Sequence, residues 1–199
     1  MNRILIAGSV LLLMAFRCRQ DYPCAEQSYT FGVTGSYTPA PAVVDAGDTV
    51  FFESVIARQL YDSLSGRAID YSNAKGIEGS VSLYRIDTLR HRISTDSVTA
   101  RFLLLDALPG PVSGTTQHFL FREGPAQYQA RVGVIVGARG IYALYATGPV
   151  SSGLQGQDCG GAAFHLRVAQ SAASAALFQQ AMNRLPGPGE DRLYTFRVQ

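Results

Sequence analysis

The chain has 199 residues, of which 47% are hydrophobic and 16% are charged, and its formal net charge is +2. This composition excludes an intrinsically disordered chain, and the length predicts one folded domain. Because 17 Lys and Arg residues are nearly balanced by 15 Asp and Glu residues, there is no broad cationic surface, and we expect no nucleic-acid partner.

The chain begins with a short basic start and an apolar run. Arg3 precedes residues 4–16, which carry no charge, and Arg17 ends the run. A membrane-spanning helix needs about 20 apolar residues, so this run is too short to span a bilayer and is typical of an export signal. We therefore predict that residues 1–17 are a signal peptide. The alternative is a buried first helix of the mature fold.

Cys18 directly follows the apolar run, and this position resembles the lipid-bearing cysteine of bacterial lipoproteins. Arg17 stands where such motifs usually carry Gly, Ala or Ser. Each buried CH₂ of an acyl chain contributes about 0.8 kcal/mol, so more than one chain anchors a protein stably. We predict lipidation at Cys18, a tether over residues 18–27 and a membrane partner reached through the lipid. Secretion without lipid and retention in the cytoplasm are the alternatives.

Two further cysteines form a candidate disulfide. If Cys18 carries lipid, Cys24 and Cys159 remain as a pair in a compartment that permits disulfides. A bridge would close a loop of about 135 residues and stabilise the fold by roughly 4 to 5 kcal/mol in the chain-entropy model. Two unpaired buried thiols are the alternative. Since no Cys-x-x-Cys or His-x-x-x-His spacing gathers ligands, we predict neither a metal nor a cofactor.

Residues 28–199 are a succession of short β-prone runs separated by turns rich in Gly and Pro. Nine runs have the length of strands: 28–34, 49–56, 79–86, 97–105, 117–122, 127–136, 141–147, 163–168 and 193–198. Residues 102–105 and 132–136 are apolar at nearly every position, which is typical of central strands. Two apolar runs joined by four residues predict a hairpin over residues 127–147.

The pattern predicts an all-β fold, an antiparallel β-sandwich with one short helix before the last strand. Short strands without alternating helices favour two packed layers, and an open barrel is the alternative. The helix is predicted over residues 171–184, with Ser171 as its N-cap and the Gly and Pro residues at 186–189 ending it. A shorter helical or irregular turn is expected around residues 57–64.

Two short segments resemble a family of small, uncharacterised envelope lipoproteins of Gram-negative bacteria. Residues 44–54, which contain Gly47 and Asp48, look like the opening motif of these proteins, and residues 193–198 are similar to their final strand. The resemblance covers about a fifth of the chain. It implies export and an immunoglobulin-like β-sandwich, and it implies no catalytic residue. We expect a positive φ at Gly47 and a capping role for Asp48.

Signatures of catalysis are lacking in the sequence. His91, His118 and His165 share no spacing, and no serine lies in a Gly-x-Ser-x-Gly elbow. One cluster is basic but is diluted by two aspartates; it comprises Arg85, Asp87, Arg90, His91, Arg92 and Asp96. We interpret this cluster as a solvated hairpin end, with a site for an anionic glycan or a lipid headgroup as the alternative.

Tyrosine is the residue that most suggests binding. The chain has 10 Tyr and no Trp, and a tyrosine ring offers a flat apolar body with a polar tip for stacking on sugars or proteins. Tyr37, Tyr71 and Tyr128 lie near turns, and we predict them as surface residues of a weak binding face.

The sequence therefore favours a non-enzymatic exported lipoprotein, a binding or structural module of the bacterial cell envelope. Its partner would be an envelope protein or a glycan. The alternative is a small secreted glycan-binding module, or a hydrolase whose site is built from loops.

Overall fold

The structure of the chain, a computed structural model, describes residues 27–96, 98–157 and 159–199. In these residues the chain forms fifteen strands, one α-helix and one 3-10 helix. The strands are β1 (Gln27–Thr38), β2 (Val43–Val44), β3 (Thr49–Ala57), β4 (Gln59–Asp62), β5 (Arg67–Asp70), β6 (Glu78–Asp87), β7 (Arg92–Ser94), β8 (Ala100–Leu104), β9 (Ala107–Ser113), β10 (Thr116–Glu123), β11 (Gln127–Val136), β12 (Gly140–Ala146), β13 (Val150–Ser151), β14 (Gly160–Val168) and β15 (Tyr194–Val198). The helix is α1 (Ala172–Met182), and the 3-10 helix covers Glu190–Arg192. The predicted signal peptide, Cys18 and Cys24 lie outside the described residues.

The strands form two layers that are joined along both sides. One layer has the order β14-β1-β3-β11-β8, and the other has the order β9-β10-β6-β12-β15-β2. At one side β13 pairs with both β14 and β6, and at the other side β10 pairs with both β11 and β6. The predicted all-β sandwich is confirmed at this level, with features of a barrel. The sheet is mixed, because β1 pairs with β14 and β15 pairs with β2 in parallel.

The core lies between the layers and is rich in aromatic rings. In β3 every second residue is buried, as alternation along a strand requires. The rings of Phe52 in β3 and Phe119 in β10 have centroids 6.4 Å apart, and those of Tyr37 in β1 and Tyr194 in β15 are 4.9 Å apart. These contacts connect the inner faces of the two layers.

Helix α1 covers the outer face of the second layer. Ser171 is its N-cap, because its side chain accepts a hydrogen bond from the Ser174 amide at 3.1 Å, and this confirms the prediction. Phe178, Ala181 and Met182 pack against Ala143 of β12 and other residues of that face. The central strands of this layer are therefore covered on both sides. Within the described ranges no helix is long and apolar enough to cross a membrane.

The predicted hairpin over residues 127–147 is wrong. Strand β11 pairs with β3, β8 and β10, whereas β12 pairs with β6 and β15. The connection between them carries the chain from one layer to the other. Both strands are rich in apolar residues, and such a run does not specify which strand pairs with it.

Two other predictions about elements need correction. Residues 102–105 were predicted to belong to a central strand, but β8 pairs only with β11 among the described strands and its residues are half-buried or exposed. The segment around residues 57–64 contains the short strand β4, which pairs with β5, where a helical or irregular turn was predicted. Both segments lie at the margins of the sheet.

Candidate functional site

The three tyrosines predicted to form a binding face are buried. Tyr37, Tyr71 and Tyr128 have exposed fractions of 6%, 0% and 2%. Although Tyr71 follows directly after β5, its ring packs edge-on against Phe31 and Phe164, at 5.1 and 5.9 Å between centroids. Proximity to a turn therefore did not place these rings in solvent, and the predicted stacking face does not exist.

The hydroxyl of Tyr128 joins two pieces of backbone inside the fold. It donates to the carbonyl oxygen of Tyr71 at 2.9 Å and accepts from the amide of Ala74 at 3.0 Å. Burial raises the pKa of Tyr128, as it does for Tyr37 and Tyr71. These hydroxyl groups are structural and remain protonated at neutral pH.

No hydrolytic pair is assembled where Ser80 lies beside His118. Ser80 of β6 and His118 of β10 are partners across the two strands. The Ser80 hydroxyl is 3.0 Å from the hydroxyl of Thr147, and no hydrogen bond joins it to His118. In the described part of the chain, no group of three or more His, Cys, Asp or Glu residues could hold a metal ion.

A surface cavity lies at the β6–β7 hairpin, where the sequence places its basic cluster. Its volume is about 450 Å³. The residues that line it are Arg85, Ile86, Asp87, Thr88, Leu89, Arg90, Arg92, Ser94 and Asp96. The hairpin end therefore has a concave surface with charged walls.

Asp87 organises this first cavity. Its Oδ1 accepts from the amides of Leu89 at 3.0 Å and Arg90 at 3.1 Å, which fixes the turn. Its Oδ2 is 3.8 Å from the guanidinium of Arg90 and 3.9 Å from that of Arg92. The hydrogen bond from the Arg90 amide contributes most to lowering the pKa of Asp87, and that from the Leu89 amide adds to it. The Asp87 carboxylate is therefore ionised at neutral pH.

The hairpin is held against the end of helix α1. The Nδ1–H of His91 donates to the carbonyl oxygen of Ala181, with 2.9 Å between the two atoms. The carbonyl can only accept, so Nδ1 carries the proton in this bond. His91 also has φ +48°, the left-handed conformation that a tight turn needs. The contact satisfies a carbonyl of the last helical turn and fixes the position of the cavity wall.

A second, smaller cavity of about 250 Å³ adjoins the first. It is lined by Arg85, Ile86, Thr88, Gly140, Ile141, Arg197 and Val198, so three of its residues also line the first cavity. Among the described residues that line it, none is acidic. We refer to the two adjoining cavities together as the arginine groove, after Arg85, Arg90, Arg92 and Arg197.

Arg85 and Arg197 are the cations of this second cavity. Both are exposed, and neither makes an ion pair or a side-chain hydrogen bond with a described residue. Both lie at the same end of the second layer, because Tyr142 pairs with Arg85 and Ile141 pairs with Arg197 across β12. Since Tyr142 and Ile141 are consecutive, the two arginine side chains leave opposite faces of the sheet. The sequence indicated Arg85 within its cluster but not Arg197, since only the pairing of β6, β12 and β15 makes them neighbours.

No protein-family model matches the chain, and no curated protein matches it. Among solved structures, the chain is similar to the human F-spondin reeler domain, with 9% identity and a TM-score of 0.40 over 93% of this chain and 98% of that one. A non-cellulosomal cohesin from Archaeoglobus fulgidus is 12% identical, with a TM-score of 0.32 over 68% of this chain and 91% of that one. The second type II cohesin module of the Acetivibrio cellulolyticus scaffoldin ScaA is 9% identical, with a TM-score of 0.34 over 70% and 94%. Likenesses this distant carry no argument about function.

Proposed function

We propose that the chain is a non-enzymatic binding module of the bacterial cell envelope, exported by residues 1–17 and lipid-anchored at Cys18. The arginine groove is its binding surface, and its partner is an anionic envelope component. The second cavity carries this proposal, because Arg85 and Arg197 line one small space and have no carboxylate partner there. Charge-assisted hydrogen bonds to an anion are about twice as strong as neutral ones.

The acidic residues outside the groove support binding over catalysis. Two carboxylates of the kind that glycoside cleavage would need already make structural contacts. Glu53 forms an ion pair with Arg131 at 2.9 Å, and Asp70 accepts from the amide and hydroxyl of Ser72. These carboxylates stabilise strands and turns.

The proposal includes membership of the small envelope lipoprotein family and an immunoglobulin-like arrangement of the sandwich. The two segments that carry the resemblance lie side by side, because β15 pairs with β2 and the amide of Gln199 donates to Val44 at 3.1 Å. Gly47 has φ +92°, and the Asp48 carboxylate accepts from the Asp45 amide at 3.1 Å, as expected for the turn. This agreement supports the local motif on which the family resemblance is based.

A disulfide between Cys24 and Cys159 is part of the same proposal. Cys24 lies three residues before Gln27, and Cys159 lies one residue before Gly160. Gln27 and Gly160 are partners in the parallel β1–β14 pair, and this register supports a bridge between the segments that precede them. Peptide mapping of the exported protein without reductant should recover the two cysteines in one linked peptide. Alkylation of both thiols without prior reduction would contradict the bridge.

Metabolic labelling with a fatty-acid analogue tests the anchor. We expect the full chain, expressed in a Gram-negative host, to carry the label and to partition with membranes. Cys18→Ala should lose the label, whereas the control Cys24→Ala should keep it. Equal label in the wild type and Cys18→Ala would overturn the lipid anchor. Unlabelled protein in the medium would replace it with the secreted alternative.

Binding to a generic polyanion tests the groove. The full chain purified in detergent should bind dextran sulfate, and binding should weaken with added salt because salt screens exposed charges. The double variant Arg85→Gln/Arg197→Gln should bind more weakly. The control Arg67→Gln/Arg122→Gln also removes two exposed arginines, but outside the groove, and should bind like the wild type. Equal loss in both double variants would overturn the groove as the binding surface.

A further inference from the structure

We infer that strand β8 pairs in the antiparallel direction with β8 of a second copy of this chain. The first layers of the two molecules then join into one continuous sheet, and the product is a two-fold symmetric dimer. The surface involved is the free edge of β8. None of the residues of β8 lines the arginine groove, so this pairing does not depend on anion binding there.

One side of β8 is paired with β11, and the other side has no partner among the described strands. The amide of Leu105, directly after β8, donates to the carbonyl oxygen of Arg131 in β11 at 3.0 Å. Because backbone groups point alternately to the two sides of a strand, every second residue back from Leu105 also faces β11. The other three residues of β8 direct their amides and carbonyls to the side where no described strand pairs with it. These three residues are Ala100, Phe102 and Leu104.

The other edge strands of the described sheet are protected against pairing, whereas β8 is not. Natural sheets protect their edges with very short strands, charged residues and prolines. Strands β2 and β7 have two and three residues, and β5 has four, of which Arg67 and Asp70 are charged. Strand β9 is longer but contains Pro109 and Pro111, which have no amide hydrogen to donate. Strand β8 has five residues, no proline and a single charge at Arg101, so its edge can accept another strand.

The side chains on the core face of β8 are apolar and incompletely buried. Ala100, Phe102 and Leu104 pack against the core between the layers, and each remains partly exposed. A strand added at the free edge of β8 would continue the same face and cover part of this apolar surface, which favours association. The edge therefore combines unpaired backbone groups with apolar side chains that another strand can bury.

The sequence of β8 is complementary to itself in the antiparallel direction. With Phe102 opposite Phe102 of the second copy, all three outward-pointing residues find partners and exchange both of their backbone hydrogen bonds. Ala100 then lies opposite Leu104 of the second copy, so a small side chain meets a large one. The two Phe102 rings form a cross-strand aromatic pair, which is among the stabilising pairs of β-sheets.

The charges of the chain also allow a second copy at this edge. In the antiparallel register centred on Phe102, Arg101 lies opposite Leu103 of the second copy, so no like charges are directly opposed. A parallel pair in register would place Arg101 opposite Arg101, which is destabilising. The formal net charge of +2 is too small to hold two copies apart. The occupant that the edge fits is therefore a second molecule in the antiparallel orientation.

Charges introduced at position 103 test the pairing and its register. Sedimentation velocity of the full chain, with detergent micelles in excess over protein, should show the wild type passing from monomer to dimer as its concentration rises. Leu103→Glu places a carboxylate opposite Arg101 of the second copy, whereas Leu103→Lys places a second cation there. The Leu103→Glu dimer should therefore be at least about threefold tighter than the Leu103→Lys dimer.

The matched controls carry the same two charges away from the edge. Val55 is 49% exposed in β3, a strand with partners on both sides, so Val55→Glu and Val55→Lys should dimerise equally. These controls separate the local charge pair from the change in net charge. A wild type that stays monomeric at every concentration, or equal dimerisation of Leu103→Glu and Leu103→Lys, would overturn the inference.

Cross-linking between differently tagged copies tests the geometry inside a Gram-negative host. Residues opposite each other in a non-hydrogen-bonded antiparallel pair have Cα atoms about 4.5 Å apart, which is within reach of a disulfide. Co-expressed Arg101→Cys and Leu103→Cys chains should therefore form a mixed disulfide dimer. The control, Arg101→Cys with Val55→Cys, should not form one. Equal yields from the two combinations, or a cross-link from Leu103→Cys to a different protein in place of the second copy, would contradict self-pairing at β8.

Discussion

A single buried carboxylate, Asp62, stabilises the turn between β4 and β5. Asp62 is only 1% exposed. Its carboxylate accepts hydrogen bonds from the amides of Thr30 at 2.8 Å, Ser65 at 2.9 Å and Leu64 at 3.3 Å. The hydrogen bond from the Ser65 side chain, followed by that from the Thr30 amide, lowers the pKa of Asp62 to about 2. The ionised form therefore stabilises the fold.

We predict that Asp62→Asn lowers the melting temperature at neutral pH. Because the pKa of Asp62 is lower in the folded state, its contribution is present above about pH 4 and is lost as the pH falls toward about 2. The difference in melting temperature between wild type and variant, measured by circular dichroism, should therefore become smaller as the pH falls over that interval. Asp106→Asn, at an exposed position, is the control. A difference in melting temperature that stays constant down to pH 2 would contradict the stabilising role of the ionised Asp62.

At the residue scale, the sequence predicted conformation better than exposure. The positive φ at Gly47 followed from the turn residues around it, because local chemistry determines it. The burial of Tyr37, Tyr71 and Tyr128 did not follow, since it depends on rings contributed by strands distant in the sequence. Arg197 was missed as a lining residue of the second cavity for the same reason.

At the scale of elements, the bend between β12 and β13 depends on a close approach of two backbones. A Cβ on Gly148 would lie well inside van der Waals contact with the carbonyl oxygen of Phe164 in β14. The amide of Phe164 also donates to the carbonyl of Pro149 at 3.0 Å. Neither backbone can move away without breaking the pairing of β13 with β14.

We therefore predict that Gly148→Ala destabilises the protein by about 1–3 kcal/mol, the usual cost of an overpacked site. Gly137→Ala is the matched control, because a Cβ there meets nothing within 4 Å and the residue has no positive φ. It should change the free energy of unfolding by no more than about 0.5 kcal/mol. Urea denaturation measures both values. Equal effects of the two substitutions would show that the close approach is unimportant.

Elements with a strong local pattern were predicted well, whereas the pairing of strands within the sheet was not. Helix α1 has its N-cap at Ser171 and lies within the predicted range, because the capping serine and the Gly and Pro residues that end the helix are local features. Strand β11 matches its predicted range, yet its predicted partner lies in the other layer. Short strands such as β2 and β13 have too few residues to show alternation and were not predicted.

At the scale of the whole molecule, buried tyrosines make the fold sensitive to alkali. Burial raises the pKa values of Tyr37, Tyr71, Tyr128 and Tyr194 in the folded protein. An unfolded chain ionises its tyrosines near pH 10, so the unfolded state loses protons first as the pH rises. The contribution of these buried tyrosines to the free energy of unfolding is therefore fully present below about pH 10 and declines above it.

We predict cooperative unfolding in alkali, accompanied by a step in tyrosinate absorbance as the buried rings become exposed. The absorbance and the circular dichroism should change together, because ionisation of these rings requires opening of the core. Titration from about pH 9 upward measures both signals. Smooth ionisation of all ten tyrosines with unchanged circular dichroism would contradict the burial of these rings.

The class of the fold was predictable from the whole sequence, and the groove was predictable only in part. Many short β-prone runs separated by turns leave few alternatives to two packed layers. The basic residues of the hairpin are visible in the sequence, but the cavity needs the neighbouring β12 and β15 as its far wall. Such a surface is a property of strand order, which the periodicity of single segments does not encode.

The parallel pairing of β1 with β14 has a consequence for how the chain is made. Strand β1 leaves the ribosome long before β14, the strand that pairs with residues 27–35 of β1. Until then β1 has an open edge, and such edges invite aggregation. The nascent polypeptide therefore has to be kept from premature association until β14 has emerged, and a fragment ending before β14 should be unable to mature.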